Sequence, residues 1–375
     1  MKEGARLVAE ANKTTKHNQL DKGKKDHNDY WFSAPLKPSD ALKSIDYKAY
    51  LEEPSQWLAS HGSELDTLVS DNQVLLNRFE QVLGMKQYRH ALKYDINMPL
   101  LTFGEILPVK KLTGIGIYSG YVQGDRAEAI EKLKRNIDFS RLMLGSSSML
   151  LEKMVALELL RLDLDTYENM LREPDGDGDL LPELENFTVQ ERTLLQAYKG
   201  EFAYLSTSLR PENLYSAYSQ TGEVGLMQRI GLLYVKPRKL ENRAYREVWS
   251  KLVELEDEPL SVRQKTDFNP AEEISFWDGY TDPVGNILFS IAMPSYSPYM
   301  DKIDHQDARI ILLRTARDIK ADNIASDEVQ SYINGISPNL NPGYAGAKVI
   351  WNASDKVISY SVPDYSGDDI PRFAL

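Results

Sequence analysis

The clearest pattern of apolar and polar positions lies between Gly124 and Leu171. Apolar residues recur there at three- and four-residue steps and predict one helix: Ala127, Ile130, Leu133, Ile137 and Leu144. Asp125 is expected to cap this helix, and Glu128 completes a capping-box pair. Residues 145–148 are predicted to form a turn, and the more apolar residues 149–171 are predicted to form a helix that is buried on more than one side. We therefore predict a buried helical hairpin at the centre of the protein.

Helical spacing continues on both sides of this hairpin. It predicts helices between Ile45 and about Leu92, with a stop at Gly84, and in the following segments: Lys110–Tyr121, Thr188–Leu209, Leu240–Leu255 and Asp304–Lys320. Residues 97–108 and 257–270 are predicted as loops, because prolines and polar residues dominate them.

Near the end of the chain the pattern alternates. Residues 348–351 and 356–362 are predicted to form a small hairpin around a turn at 352–355. The predicted fold is therefore mainly α: a multi-helix array or bundle with a smaller, mixed α+β C-terminal part that ends in a short β-hairpin. We divide it into a disordered basic leader (1–28), a helical domain (29–220) and a mixed helical domain with aromatic-rich loops (221–375).

Composition narrows the classes of function. The chain has 375 residues, 42% of them hydrophobic and 27% charged, as expected of a folded globular protein. A formal net charge of −12 disfavours nucleic acid as a partner. The chain has no cysteine, which excludes disulfides, thiolate nucleophiles and cysteine-ligated zinc or iron–sulfur clusters.

The N-terminal leader is basic, and no run of apolar residues is long enough to span a bilayer. Its cations are Lys2, Arg6, Lys13, Lys16, Lys22, Lys24 and Lys25. A solvated tail is the simpler interpretation. The alternative is a segment next to a membrane, with its positive charges facing lipid headgroups.

Three aspartates, Asp175, Asp177 and Asp179, alternate with glycine as in calcium-binding loops. The EF-hand pattern fails here, because Leu180 and Asn186 replace its required glycine and glutamate. We favour a flexible acidic connection and keep the three aspartates as candidate metal ligands; no cofactor is predicted.

A second acidic group, Asp301, Asp304 and Asp307 with His305, is expected at the start of a helix. A divalent cation could bind such a set. The simpler interpretation is that the helix dipole and capping favour acids there.

Candidate binding residues lie in the aromatic-rich loops. Glu272 and Glu273 are paired acids near Trp277 and Tyr280, a combination that suits a carbohydrate cleft. Tyr296 and Tyr299 extend this aromatic group. No catalytic residues are predicted: residues 145–149 lack the frame of a nucleophile elbow, and the glycines at 114–120 miss the dinucleotide fingerprint.

Several short sequence motifs follow one another along residues 45–362. They are Asp71-Asn72 with Arg78-Phe79, Gly124-Asp125 with Arg141-Leu142-Met143, the apolar helix from Met149, Lys236-Pro237 with Asn242, residues 282–288, Pro294-Ser295-Tyr296 with Tyr299, and Asn341-Pro342 with Gly346 and Trp351. In this order the chain resembles an uncharacterised family of bacterial envelope proteins, mostly from proteobacteria. The resemblance implies an N-terminal membrane anchor and an α-rich extracytoplasmic body; it implies no reaction. The hydrophobic anchor is missing from this sequence, which indicates that it was removed or that this is a soluble relative.

The sequence therefore predicts a non-catalytic protein of the cell envelope, with a helical scaffold or interaction domain. Its expected partner is another envelope protein or an envelope polymer, with no nucleic acid, and the leader would lie near the membrane. The expected location is the periplasm, anchored to the inner membrane, with the cytoplasm as the alternative. Two alternative functions stay open: a hydrolase or binding protein acting on an envelope polymer or carbohydrate, and a calcium-modulated binding module.

Overall fold

The computed structural model describes residues 37–90, 93–94, 98, 103–174, 180–210, 213, 236–266, 297–336, 340–365, 367 and 369–375. The leader, the aromatics at 30–32 and the predicted domain boundary after residue 220 lie outside these residues. The described part is mainly helical, with a small antiparallel sheet near the C-terminus, which confirms the predicted fold class.

The first helices follow one another closely. They are α1 (Asp40–Lys43), α2 (Tyr47–Glu52), α3 (Pro54–Asp71) and α4 (Gln73–Leu83). Helix α4 ends at Gly84, as predicted, and residues 84–90 are not helical.

Three long helices form the centre: α5 (Ile106–Gln123), α6 (Arg126–Ser146) and α7 (Leu150–Arg172). They pack on one another, so the predicted hairpin is confirmed as the helices α6 and α7. Nearly all of α7 is buried, including charged residues, because neighbouring helices cover it on several sides. One detail differs: Ala127 is exposed, whereas Leu133, Ile137 and Leu144 are buried as predicted.

The capping of α6 also differs from the prediction. Gly124 adopts a left-handed conformation (φ 108°) that ends α5, and Asp125 then precedes α6 without a side-chain capping bond. Glu128 instead lies 2.7 Å from Lys132 on the same helix. A capping box is found instead at the start of a later helix, where the backbone N–H of Thr188 donates to Glu191 Oε2 at 2.7 Å.

Two shorter helices, α8 (Val189–Arg192) and α9 (Leu195–Ser208), replace the single helical segment predicted at 188–209. The break lies at Thr193 and Leu194. The Glu256 carboxylate accepts a hydrogen bond from the Thr193 hydroxyl at 2.9 Å and another from the Leu194 N–H. A long-range contact therefore satisfies the backbone where the helix is interrupted.

The C-terminal half contains α10 (Pro237–Ala244), a π-helical turn (Tyr245–Trp249), α11 (Ser250–Leu255), α12 (Leu260–Lys265), α13 (Ser297–Ala321) and α14 (Val329–Gly335). Helix α12 lies within the predicted loop 257–270, where buried Leu260 and Arg263 anchor it. Helix α13 starts seven residues earlier than predicted, and it packs against α7 and the C-terminal sheet.

The predicted hairpin is confirmed as β1 (Lys348–Asn352) and β2 (Val357–Ser361), with Val349 opposite Tyr360. A third strand, β3 (Arg372–Ala374), was not predicted and pairs antiparallel with β2. A 3₁₀ turn (Pro342–Tyr344) precedes the sheet. None of the described helices is both long and apolar enough to cross a bilayer.

Candidate functional site

Five of the six predicted binding residues lie outside the residues that the structure describes. The predicted carbohydrate cleft therefore stays a prediction. The five residues are Glu272, Glu273, Trp277, Tyr280 and Tyr296. Tyr299 lies in the first turn of α13 and is half-buried, with Lys302 Nζ 5.8 Å from the centre of its ring.

The candidate calcium ligands Asp175, Asp177 and Asp179 also lie outside the described residues. Within the part of the chain that the structure describes, no group of three or more His, Asp or Glu side chains is arranged to hold a metal ion.

The acidic group of α13 does not lie at the start of the helix. Because α13 begins at Ser297, its first turn holds no acidic residue, and Asp304, His305 and Asp307 are buried within the helix. The helix dipole and capping therefore do not account for these residues, and that interpretation was wrong. Their hydrogen-bond partners come from other segments of the chain.

Asp304 forms a buried ion pair with Arg263 of α12, whose Nη2 donates to Asp304 Oδ2. The second guanidinium nitrogen, Nη1, lies 3.4 Å from Asp301 Oδ1. Burial raises the pKa of Asp304 to about 6, and Arg263 opposes the shift. Gly343 adjoins the pair: a Cβ atom on Gly343 would stand 2.3 Å from Asp304 Oδ2. The pair thus ties α12 to α13, and the absence of a side chain at Gly343 allows the 3₁₀ turn to lie against it.

His305 links three segments by its two ring nitrogens. Nδ1 lies 2.7 Å from the Tyr344 hydroxyl, and Nε2 lies 2.8 Å from Asp369 Oδ2. When Asp, His and Tyr side chains are linked in this way, the imidazole can act as a base that activates the hydroxyl as a nucleophile. Here, however, Tyr344 is fully buried, and burial raises the pKa of its hydroxyl. The hydroxyl therefore stays neutral, and the arrangement serves to hold the C-terminal segment on α13.

Asp307 binds a third segment. Its Oδ1 accepts the backbone N–H of Phe187 at 2.8 Å, and its Oδ2 accepts Asn341 Nδ2 at 3.2 Å. Asn341 Nδ2 also lies 3.0 Å from the carbonyl oxygen of Asp304. The acidic residues of α13 thus join elements that are far apart in sequence.

A second buried cluster lies at the centre of the helices α5, α6 and α7. Lys110 Nζ is 2.5 Å from Asp163 Oδ1 and donates to Asn136 Oδ1 at 2.7 Å. Ser140 donates to Asp163 Oδ2 at 2.7 Å. Burial raises the pKa of Asp163 and lowers that of Lys110, and their attraction opposes both shifts.

This second cluster was not predicted, since only turn and capping residues had been identified among the polar side chains of the hairpin. A signal for it was present in the sequence. Asn136 and Ser140 lie four residues apart on the apolar face of α6, where a polar residue requires a buried partner. The partner itself could not be read from the pattern.

Helix α7 carries further buried charges along its length. Arg309 Nη2 of α13 lies 2.8 Å from Asp165 and 2.7 Å from Glu168. Lys153 Nζ donates to the carbonyl oxygens of Leu144 and Gln190, both at 3.1 Å, and burial lowers its pKa to about 8. A lysine with such a pKa is a candidate nucleophile, but these bonds make Lys153 a bridge between backbone segments.

Three pockets open to solvent lie away from these buried clusters. The groove between α6 and residues 180–185, the α6 groove, has a volume of about 600 Å³. Two smaller pockets, of about 410 and 270 Å³, lie beside Trp351 and at the start of α3. The buried clusters hold helices together, whereas the α6 groove is accessible to a partner.

Comparisons of the chain with models of known protein families, with curated proteins and with solved structures gave no match.

Proposed function

We propose that this protein is a non-catalytic helical interaction domain of the bacterial cell envelope, with another envelope component as its partner. The observation that carries the proposal is the use made of the titratable side chains. In the described residues, several buried carboxylates and cations bond across elements to one another, or to backbone and amide groups of other elements. They include Asp304 with Arg263 and Asp163 with Lys110.

General acid–base chemistry requires a side chain within hydrogen-bond reach of a substrate atom. The Asp163 and Asp304 carboxylates are almost completely buried, and their oxygens accept bonds from groups of the protein. Removing one member would leave its partner charged and unpaired in the interior. This arrangement favours a rigid body that presents surfaces over one that exposes a reactive group.

The envelope location is supported by the sequence motifs and by the absence of cysteine. A chain without cysteine has no free thiol to oxidise in an oxidising compartment such as the periplasm.

The interaction role is tested by photo-crosslinking in cells with the protein at its native level. A benzoylphenylalanine side chain is placed singly at five exposed sites on different elements: Glu64, Glu131, Val189, Tyr245 and Ile350. We expect at least one position to give a discrete adduct with an envelope component. Failure of all five positions would contradict the interaction role.

The location and the absence of catalysis have separate readouts. Fractionation is expected to place the protein in the envelope, and recovery from the cytosol alone would remove that part of the proposal. Hydrolysis of an envelope polymer by the purified protein, lost in Glu272→Gln/Glu273→Gln, would show that the protein is an enzyme.

A further inference from the structure

We propose that the α6 groove is the docking site for a basic protein segment with an apolar face. This inference rests on the proposed function and names the chemistry of the partner. The groove is the largest of the three pockets described above, and both of its rims carry acidic side chains.

The floor of the α6 groove is apolar. Ile137 of α6 and Leu184 on the opposite side are buried, and Ile130 is half-buried between them and solvent. Leu180, at the edge of the groove, has 51% of its surface exposed. Covering Leu180 and the accessible part of Ile130 with an apolar face removes them from water, which favours association.

The rims of the groove are negatively charged. Glu131 and Asp138 lie on α6, about 10 Å apart along the helix axis at a rise of 1.5 Å per residue. Glu183 and Glu185 lie on the opposite rim. All four side chains are exposed, and none makes an ion pair within the residues that the structure describes.

Cations close to the groove offset part of this negative charge, since Glu185 attracts Arg141 and Glu183 attracts Arg317. Arg141 is held by the Glu191 carboxylate at 2.6 Å and by the backbone carbonyls of Glu185 and Asn186. Lys134 is exposed and lies on α6 between Glu131 and Asp138. The lining therefore keeps an excess of acidic side chains, with four carboxylates against Lys134 and Arg141.

This charge distribution selects the partner. An acidic groove repels anionic polymers and anionic lipid surfaces, and it attracts a segment rich in Lys and Arg. The apolar floor requires apolar side chains on one side of that segment, as when an amphipathic helix lies in a groove. We therefore commit to a basic amphipathic segment of a protein partner.

The test uses the full chain and a synthetic amphipathic peptide, with leucines on one face of a helix and lysines on the other. Two control peptides are used. One has the same leucines and lysines in scrambled order, and the other has glutamates in place of the lysines. Binding is measured by fluorescence anisotropy at low and at physiological salt. We expect the first peptide to bind most tightly and its affinity to decrease as salt rises.

Two matched pairs of variants locate the binding surface. Glu183→Lys/Glu185→Lys is expected to weaken peptide binding by about tenfold or more, whereas Glu64→Lys/Asp66→Lys, with the same change of charge on α3, changes it by less than about twofold. Leu180→Ser is expected to weaken binding, and Leu151→Ser is not, although 48% of the Leu151 surface is exposed. Circular dichroism verifies that each variant is folded.

Several outcomes would overturn the inference. Equal weakening by both charge variants would indicate attraction to the whole acidic surface, and equal binding of the glutamate peptide would exclude charge recognition. Self-association that the groove variant abolishes would assign the groove to a second copy of the chain. If the partner crosslinked in cells still binds the groove variant, the groove inference fails and the interaction role stands.

Discussion

Gly114 of α5 lies directly against Thr166 of α7. A Cβ atom on Gly114 would stand 2.6 Å from the Thr166 hydroxyl oxygen, which donates to the carbonyl oxygen of Leu162 at 3.1 Å. Gly116, two residues further on, is exposed and has no atom within 4 Å of the corresponding position. One of these two glycines is therefore required by the packing of two helices, and the other is not.

Alanine substitutions at these two positions should have opposite effects. Gly114→Ala is expected to lower the free energy of unfolding by about 1–3 kcal/mol, because the added methyl group overpacks the contact between α5 and α7. Gly116→Ala should raise it by up to about 1 kcal/mol, since alanine favours the helix. Urea denaturation measures both, and a shift of the same sign in the two variants would contradict the packing role of Gly114.

The pair Lys110–Asp163 should show strong coupling. Replacing one member leaves a buried charge without its partner, so Lys110→Met or Asp163→Leu is expected to lower the free energy of unfolding by about 3–5 kcal/mol. The double variant should lose much less than the sum of the single variants. Lys132→Met, at an exposed pair on α6, is the control and should have little effect. Additive losses would show that the pair does not act as a unit.

The Asp304 carboxyl should give stability a distinct dependence on pH. Its pKa in the folded protein, about 6, is above the ordinary value of 3.8. Between these values the folded chain binds more protons at Asp304 than the unfolded chain, so this contribution to stability decreases as pH rises. Relative to Asp304→Asn, the original protein should gain stability from pH 6 to pH 4, by at most about 1.4 kcal/mol per pH unit.

Denaturation of both proteins across this range tests the sign for Asp304. The carboxyl is also followed directly, by the infrared absorbance that disappears in Asp304→Asn, so a poorly folded variant does not prevent the measurement. Titration of Asp304 near pH 4 would contradict the expectation.

His305 should behave in the opposite way. Burial lowers the pKa of its imidazole below the ordinary value of 6.5; Asp369 and Asp301 oppose this shift, and Arg263 adds to it. Below pH 6.5 the unfolded chain takes up a proton more readily than the folded chain, so the contribution of His305 to stability is lost as pH falls. Relative to His305→Gln, the original protein should therefore lose stability as the pH falls below 6.5. NMR of the imidazole measures the pKa, and a value above 6.5 would contradict the sign.

The short strand β3 should belong to the core of the protein. Phe373 is fully buried, and the Arg172 guanidinium lies 5.7 Å from the centre of its ring. Phe373→Ala is expected to lower the free energy of unfolding by about 3–5 kcal/mol. Ile350→Ala on β1, where 39% of the side chain is exposed, should have a much smaller effect. Equal effects in urea denaturation would indicate that β3 adds little to the stability of the core.

Local periodicity determined much of the fold. The three- and four-residue spacing identified α6 and α7, and the glycine at 84 identified the end of α4. Alternation in residues 348–362 identified β1 and β2, since each strand pairs with its neighbour across a short turn. These elements could be predicted because the side chains that define them lie close together in the sequence.

The candidate surface was not predicted. The apolar residues Ile130 and Ile137 were recognised as part of α6, but their position on the floor of a groove depends on residues 180–185, which pack beside them. The carboxylates at 183 and 185 had no recognisable spacing relative to those on α6. Most of the predicted binding and metal residues lie outside the described residues, so their roles stay predictions.

By itself, the sequence determined that the protein is mainly helical, that α6 and α7 form its central hairpin and that a β-hairpin follows near the end. Only the tertiary structure decided the addition of β3, the formation of α12 in a predicted loop and the pairing of the buried charges. Arg263 and Asp304 are 41 residues apart, and Ser140 and Asp163 are 23 apart. Apolar spacing reports which side of an element is buried, whereas the partner of a buried charge depends on how whole elements pack.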